Sequence, residues 1–570
     1  MIKLKGIPAS GGVAAGPAYF FKHQTTGLAR TIITDPTAEL NRLELARFMA
    51  REQLSILKTK TKAETSSEEA AIFDAHAMFL DDPSLLDTVR ETIEGQNLNV
   101  EAAWVDAIEG YAQQLEVMED EYLRARAADI RDVGQRVLRI LTGQNETDLS
   151  GLVKPALVIA QDLTPSDTAR LDKALVLGFA TAEGGPTSHT AILAKALGLP
   201  AVVGIGAKLL EINTNTPLLI NGSLGELIAD ADEATRRYYE KIGNEASQLA
   251  DLELKVAKAH TVTTDGHQVE IVANVGSPED AKSALKFGAE GIGLLRTEFL
   301  YLERKTAPTE EEQFVAYKSV LDVMEQRPVV VRTLDVGGDK QLDYLDLGKE
   351  TNPFLGWRAI RLCLDKPDFF KIQLRALLRA SPGHDLRIMF PMIATLEEVR
   401  KSKALLEEAR QEVEAAGQPV ADHIQVGTMV EIPSVTVMAD LFAREVDFFS
   451  IGTNDLTQYT MAAERTNEKM AYLADPCHPA IIRQIQRVIE EAHKAGIWVG
   501  VCGEMAGDPD AAPTLLGLGL DEFSMAAPAI PRVKAILRKW SLLEAQALAA
   551  DVLNFENGTA VRAFVRSHAK

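Results

Sequence analysis

Eight short apolar runs separated by helical stretches fill the chain after Asp265-Gly266, and no other feature limits the fold as strongly. They are Val269–Ala273, Gly291–Leu295, Val329–Leu334, Leu386–Phe390, Gln425–Val430, Phe448–Ile451, Val499–Val501 and Asp521–Ser524. Short runs that are apolar throughout suit strands buried on both faces, the state of a parallel sheet covered by its crossover helices. Strong β/α alternation with eight strands predicts a (β/α)8 barrel; a doubly wound open sheet is the alternative. Barrel chemistry gathers at the C-terminal strand ends. Those ends are polar almost every time here. They carry Arg296-Thr297-Glu298, Arg332 and Asp335, Gly337-Gly338-Asp339-Lys340, Glu431, Gly452-Thr453-Asn454-Asp455 and Cys502-Gly503-Glu504, with Arg358 and Arg465 in adjoining loops.

Arg296, Arg332, Arg358, Arg465 and Lys340 are cationic groups suited to phosphate and carboxylate. Glu431 and Asp455 are hard oxygen donors. They are too few for a structural cage but suit a catalytic Mg2+ that keeps waters and shares a substrate phosphate. A plainer reading has the arginines neutralising carboxylates at the barrel mouth. Cys502 at a strand end is either buried packing or a thiol that exchanges a proton with the site. Cys363 and Cys477 have no such placement and are expected to be structural, and His478, between prolines, is expected in a loop.

The first half of the chain has a different pattern. Strand-like residues up to about Phe21 give way to helical periodicity from Asp35 to Leu141, with Leu40, Leu43, Ala50, Leu54 and Leu57 on one face. A second run, through Ala70, Ile72, Phe73, Ala77, Met78, Phe79 and Leu80, is expected to stop near Asp81-Asp82-Pro83; further runs span Ala102 to Leu115 and Ala127 to Leu141. Several such helices suggest an antiparallel bundle. From Lys154 the pattern becomes α/β. In it, Gly184-Gly185-Pro186-Thr187-Ser188-His189-Thr190-Ala191 places a histidine in or near the first turn of a helix capped by Thr187 or Ser188. The free N–H groups and dipole there favour a bound anion and a neutral, nucleophilic imidazole.

Composition narrows the class. A formal net charge of −22 argues against nucleic acid or anionic membrane as a partner. No apolar run approaches the roughly 20 residues of a membrane span. The start, Met1 to Pro8, lacks a signal-peptide core. Three widely spaced cysteines argue for a reducing cytoplasm.

Two stretches are long enough to carry a resemblance. Gly184 to Ala191 resembles the phosphohistidine signature of phosphoenolpyruvate (PEP)-utilising enzymes. Asp447-Phe448-Phe449-Ser450-Ile451-Gly452-Thr453-Asn454-Asp455-Leu456-Thr457-Gln458-Tyr459 resembles their second signature, in the PEP-binding barrel. Gly291 to Leu300 and Asn352 to Arg358 match as well. Over essentially the whole chain the order of parts is similar to the Enzyme I family of the bacterial sugar phosphotransferase system, the phosphoenolpyruvate–protein phosphotransferases. One departure is Pro186, where many members have arginine.

The resemblance implies that His189 takes the phosphoryl group of PEP and passes it to a histidine of the phosphocarrier HPr, releasing pyruvate. It implies PEP binding by Arg296, Arg332, Asn454, Asp455 and Arg465, with Arg358 and Lys340 as further cations at the mouth. It implies Mg2+ on Glu431 and Asp455, a proton donor in Cys502, HPr docking on the helical insertion, and a homodimer formed through the barrel. The expected organisation is α/β multidomain. A phosphohistidine α/β domain covers 1–24 and 145–231, a helical HPr-docking insertion 25–144, a linker helix 232–260 and a PEP-binding (β/α)8 barrel 261–570. A dikinase or PEP synthase would need a nucleotide-binding domain for which no free segment or Walker-type loop is found. A silent PEP sensor leaves the set of His189, Glu431, Asp455 and Cys502 unused, and a carbon-bond lyase leaves the histidine domain without a task.

Overall fold

The computed structural model describes residues 1–21, 29–64, 72–116, 121–143, 152, 154–168, 175–185, 188, 190–191, 194–195, 198–302, 304–337, 342, 344–345, 350–464 and 468–570. It divides into two compact units, Met1–Gln248 and Leu249–Lys570. The division falls within the helix Glu233–Val256.

The first unit is built on a mixed sheet. Its strands are β1 (Ile2–Lys5), β2 (Ile7–Ser10), β3 (Val13–Phe20), β4 (Ala156–Ala160), β5 (Val176–Thr181), β6 (Ala201–Val203), β7 (Pro217–Asn221) and β8 (Glu226–Ala229), in the order β1-β8-β7-β3-β4-β5-β6-β2. β3 serves two partners. Val13 to Pro17 pair antiparallel with β7, and Ala18 to Phe20 pair parallel with β4. Between β3 and β4 the chain leaves the sheet to form the helices Pro36–Glu64, Ile72–Leu80, Pro83–Gln96, Val100–Glu116 and Glu121–Leu141. Leu43, Ala50, Leu54 and Leu57 of the first helix are buried in the bundle core with Trp104, as their spacing requires. The indole Nε1–H of Trp104 donates to the Gly134 carbonyl at 2.9 Å, so the largest core side chain has no orphaned donor.

The helix Pro83–Gln96 corrects the sequence reading, which took Asp81-Asp82-Pro83 only as a stop. Asp82 is also a start. Its carboxylate accepts the free N–H groups of Ser84 and Leu85, and Pro83 occupies a first-turn position that needs no donor.

In the second unit, β9 (Thr261–Val262) pairs antiparallel with the start of β10 (Gln268–Val275). The barrel follows as β10, β11 (Ile292–Leu295), β12 (Val329–Arg332), β13 (Leu386–Phe390), β14 (Gln425–Val430), β15 (Phe448–Ile451), β16 (Trp498–Val501) and β17 (Glu522–Met525). Each pairs in parallel with the next, and β10 pairs with both β11 and β17, which closes the ring. All eight expected runs are strands, and the barrel reading prevails over the open sheet. The covering helices begin on strong caps. Ser277 caps Pro278–Lys286, while Thr309 with Glu312 and Thr395 with Glu398 form capping boxes.

The N-terminal end of the barrel holds an unusual carboxyl. Glu522 opens β17, is 2% exposed, and among the described residues has no hydrogen-bond partner on either carboxyl oxygen. It sits in register with Glu270 on β10, and a Cβ at Gly500 would come within 2.8 Å of its Oε1. Burial, then the charge of Glu270, pushes the Glu522 carboxyl up to about 8 against the pull of Arg387. The native state therefore keeps a proton that the unfolded chain gives up at the ordinary glutamate value. Its contribution to stability is full below that value and is lost as pH rises through about 8. Thermal melts of wild type should fall across this window, and Glu522→Gln should make that slope shallower, the buried Glu431 carboxyl contributing the same sign. Equal slopes in the two proteins would contradict the assignment.

Candidate active site

The mouth of the barrel is organised by two carboxylates that bind arginines. β11 ends in Arg296-Thr297-Glu298 and β12 ends in Arg332. The Thr297 hydroxyl donates to the Arg332 carbonyl at 3.1 Å and ties the two strand ends together. Glu298 Oε1 accepts from Arg332 Nη2 at 2.9 Å and from the Asp335 N–H at 3.2 Å. Asp335 lies 3.1 Å from Arg332 Nη1 and accepts two bonds from Arg358 Nη2, at 2.9 and 3.1 Å. Arg358 also places Nη1 3.7 Å from Asp455 and 3.3 Å from the Tyr459 hydroxyl. Glu298, Arg332, Asp335 and Arg358 are all buried. Burial opposes the charge on each guanidinium, but the carboxylates outweigh it and both stay ionised: Glu298 and Asp335 for Arg332, Asp335 and Asp455 for Arg358.

Backbone conformation makes this packing possible at Gly337. It has φ +108°, and a Cβ there would lie 2.5 Å from the Arg358 Cβ.

Glu431 follows β14 and is completely buried. Its Oε1 accepts the Met392 N–H at 2.5 Å, while Oε2 is buried without a hydrogen-bond partner among the described residues. Burial, then the charges of Asp455 and Asp335, pushes its carboxyl upward, against Arg332 and Arg358. Asp455 stands in the first turn of the helix Thr453–Met461 after β15. Asn454 beside it accepts the Glu504 N–H at 3.1 Å, joining the ends of β15 and β16.

Magnesium fits this chemistry. Glu431 carries an orphaned, buried carboxylate oxygen, and Asp455 supplies a second hard oxygen ligand. Among the described residues no group of three or more histidine, cysteine, aspartate or glutamate side chains is set to hold a metal ion. Glu431 and Asp455 would hold such an ion with two carboxylates, leaving water or substrate oxygens as its other ligands.

Cys502 follows β16. Its thiol is buried among Leu294, Val330, Met389, Met429 and Phe448, with Sγ 3.7 Å from the Ile451 carbonyl. Burial pushes it up to about 12, so it is a protonated thiol at neutral pH that still feels the charges of Glu431 and Arg332. Packing and exposure to the site's charge thus coexist at this position. Cys363 and Cys477 are buried free thiols, as expected. His478 is more than loop filler, because its ring accepts the Ala480 N–H at 3.1 Å and caps the helix Pro479–Ala495.

Of the expected site residues, the barrel brings together Arg332, Arg358, Glu431, Asp455 and Cys502. Asn454 is half-buried beside them, and Arg296 is exposed at the end of β11. Lys340, Arg465, His189, Pro186 and Thr187 lie outside the described residues. Around the histidine, Gly184 has φ +97°, and Ser188 Oγ accepts the Ala191 N–H at 3.4 Å, the capping role expected of Thr187 or Ser188. Ala191 and Ala194 are fully buried against the sheet core.

Residues 251–542 match the family described as PEP-utilising enzyme, PEP-binding domain. A phosphoenolpyruvate-protein phosphotransferase of Geobacillus stearothermophilus is 50% identical over 564 residues, covering 99% of this chain and 97% of the relative. The chain belongs to the phosphoenolpyruvate-protein phosphotransferase family. Phosphotransferases of the same name from Bacillus subtilis and Priestia megaterium are 48% and 47% identical, each covering 99% of both chains. Residues 5–126 match the N-terminal PEP-utilising region and 152–225 the mobile domain, so the His189 loop of this phosphotransferase lies in the mobile domain.

Two carboxylates at the mouth were not matched to particular arginines from sequence. Glu298 and Asp335 stood in the strand-end inventory, but nothing in their spacing revealed that they hold Arg332 and Arg358.

Proposed function

We propose that this phosphoenolpyruvate-protein phosphotransferase moves the phosphoryl group of PEP to its own His189 and then to a histidine of HPr, the first step of the sugar phosphotransferase system. The observation that carries the reading is the buried cluster of Arg332, Asp335 and Arg358 beside Glu431 and Asp455, in a chain whose histidine signature belongs to a different unit.

PEP binds at the barrel mouth through Arg296, Arg332, Asn454 and Arg465, with Arg358 and Lys340 adding positive charge. Glu431 and Asp455 would hold Mg2+, which when bound would supply charge neutralisation to the phosphate. A His189 ring nitrogen attacks phosphorus in line as the P–O bond to the enolate oxygen breaks. Orientation and fixed cations do most of the work in such a transfer. Enolpyruvate takes a proton at its methylene carbon and becomes pyruvate. The Cys502 thiol suits that donor role, since burial keeps it protonated. The histidine then meets HPr on the helical insertion, where Leu45, Phe48, Met49, Ile56 and Met78 are exposed apolar side chains.

The same reading includes a homodimer through the barrel. Val437, Met438 and Leu441 are exposed apolar side chains that a second copy would cover. It also places the reaction in the cytoplasm, where three free buried thiols stay reduced. Among the described residues no helix is long and apolar enough to cross a membrane.

The test is phosphotransfer from labelled PEP to purified HPr of the sugar and nitrogen types. Label should reach HPr only when the chain and Mg2+ are both present. A chain that labels neither type would sink the reading.

A further inference from the structure

A buried polar cluster joins the helical bundle to the body that carries the histidine loop. Asp132 and Arg136 lie on the helix Glu121–Leu141, and Ser166 lies on the short turn Pro165–Thr168 after β4. All three are buried, at 4%, 2% and 2% exposure. The Ser166 hydroxyl donates to Asp132 Oδ2 at 2.5 Å and accepts from Arg136 Nη2 at 2.7 Å. Arg136 Nη1 reaches back to Gln53 Oε1 on the first helix of the bundle at 2.9 Å. Behind Asp132 stands His76, also buried, with Nδ1 3.9 Å from Asp132 and Nε2 3.8 Å from Asp129.

The Ser166 segment also touches the histidine loop. Asp167 accepts from the N–H and hydroxyl of Thr164 and stiffens the turn. The Leu163 carbonyl accepts from the Thr190 hydroxyl at 3.2 Å, and Thr190 directly follows His189. Leu163 itself packs in the same core as Ala191 and Ala194. A continuous path thus runs from Gln53 and Arg136 through Ser166 and Leu163 to the residue beside His189. Burying charged-type side chains at a junction is costly unless their bonds are satisfied, and the placement of bundle and loop in this structure makes these bonds.

We propose that Asp132, Arg136 and Ser166 are positioning residues for the second half-reaction: they set where the His189 loop stands relative to the bundle that receives HPr. This rests on the functional reading above. PEP is met on the barrel, so the first half-reaction does not depend on the distance between loop and bundle. Transfer to HPr does, because HPr is held by one and attacked through the other. Misplacement of reacting groups by about 1 Å can cost on the order of a hundredfold in rate.

The experiment separates the half-reactions in the full-length chain. Labelling of the enzyme by PEP and Mg2+ is timed first; the labelled enzyme is then mixed with HPr and transfer is followed over a range of HPr concentrations. Ser166→Ala should slow transfer to HPr by about tenfold or more while labelling by PEP stays within about twofold. Ser166→Thr, which keeps the hydroxyl, should restore transfer. Asp132→Asn keeps the side-chain volume and should show the same split, which preserves the test if Ser166→Ala loses its fold. Equal losses in both half-reactions, or no loss in either, would overturn the inference. A wild-type chain that takes label and passes none to HPr would overturn the functional reading and the inference with it.

Discussion

Glu431→Gln is expected to lower PEP turnover by about a thousandfold while the barrel stays folded. The side chain is completely buried, with one oxygen on the Met392 N–H and the other without a partner among the described residues. Removing its charge relieves the repulsion with Asp455 and Asp335 that pushes its carboxyl upward, so thermal stability should hold or rise. The catalytic effect has the opposite sign. Glutamine offers Mg2+ a neutral carbonyl, which leaves the phosphate charge less balanced as the P–O bond breaks. Pyruvate release should fall steeply, and the Mg2+ concentration needed for half-maximal rate should rise. Turnover within about tenfold of wild type would rule out Glu431 as a metal ligand in the transfer.

Asp335→Ala is the largest stability effect expected. Asp335 receives both bonds from Arg358 Nη2 and lies 3.1 Å from Arg332 Nη1, so its loss leaves two buried guanidinium groups short of counter-charge. Breaking a buried pair on one side costs about 3–5 kcal/mol, because the surviving charge stays desolvated. Urea denaturation should register that loss, and the KM for PEP should rise as Arg332 and Arg358 lose their fixed orientation. Asp335→Asn keeps the shape and one acceptor, so it should cost less stability. If the alanine variant melted like wild type, the arginines would not be held by Asp335.

The eight barrel strands were legible because parallel strands covered on both faces must be apolar throughout, and Leu386–Phe390, Gln425–Val430 and Phe448–Ile451 have the expected bounds. Cationic and acidic strand ends were legible for a related reason, since a closed barrel sends every C-terminal strand end to one face. Which side chains grip each other there was not. Glu298 and Arg332 are 34 residues apart, and Arg358 and Tyr459 are 101 apart. Their pairing depends on rotamers and loop paths that no periodicity encodes. The structure bears out the plainer reading of Arg332 and Arg358 as partners of carboxylates at the mouth, and that pairing is compatible with the proposed substrate role, since the carboxylates orient the arginines. The helix Pro83–Gln96 was missed because Asp-Pro ends one helix and starts the next equally well. The junction of Asp132, Arg136 and Ser166 carried no sequence signal, since its members come from two bodies separated by the return of the chain to the sheet.

The central claim is that His189 carries the phosphoryl group between two sites. The most direct measurement is to incubate the full chain with radiolabelled PEP and Mg2+, digest with trypsin, and map the label under alkaline conditions that preserve phosphohistidine. The account predicts label on the peptide containing His189 and none in His189→Ala. Label on another peptide, or label undiminished in His189→Ala, would contradict it.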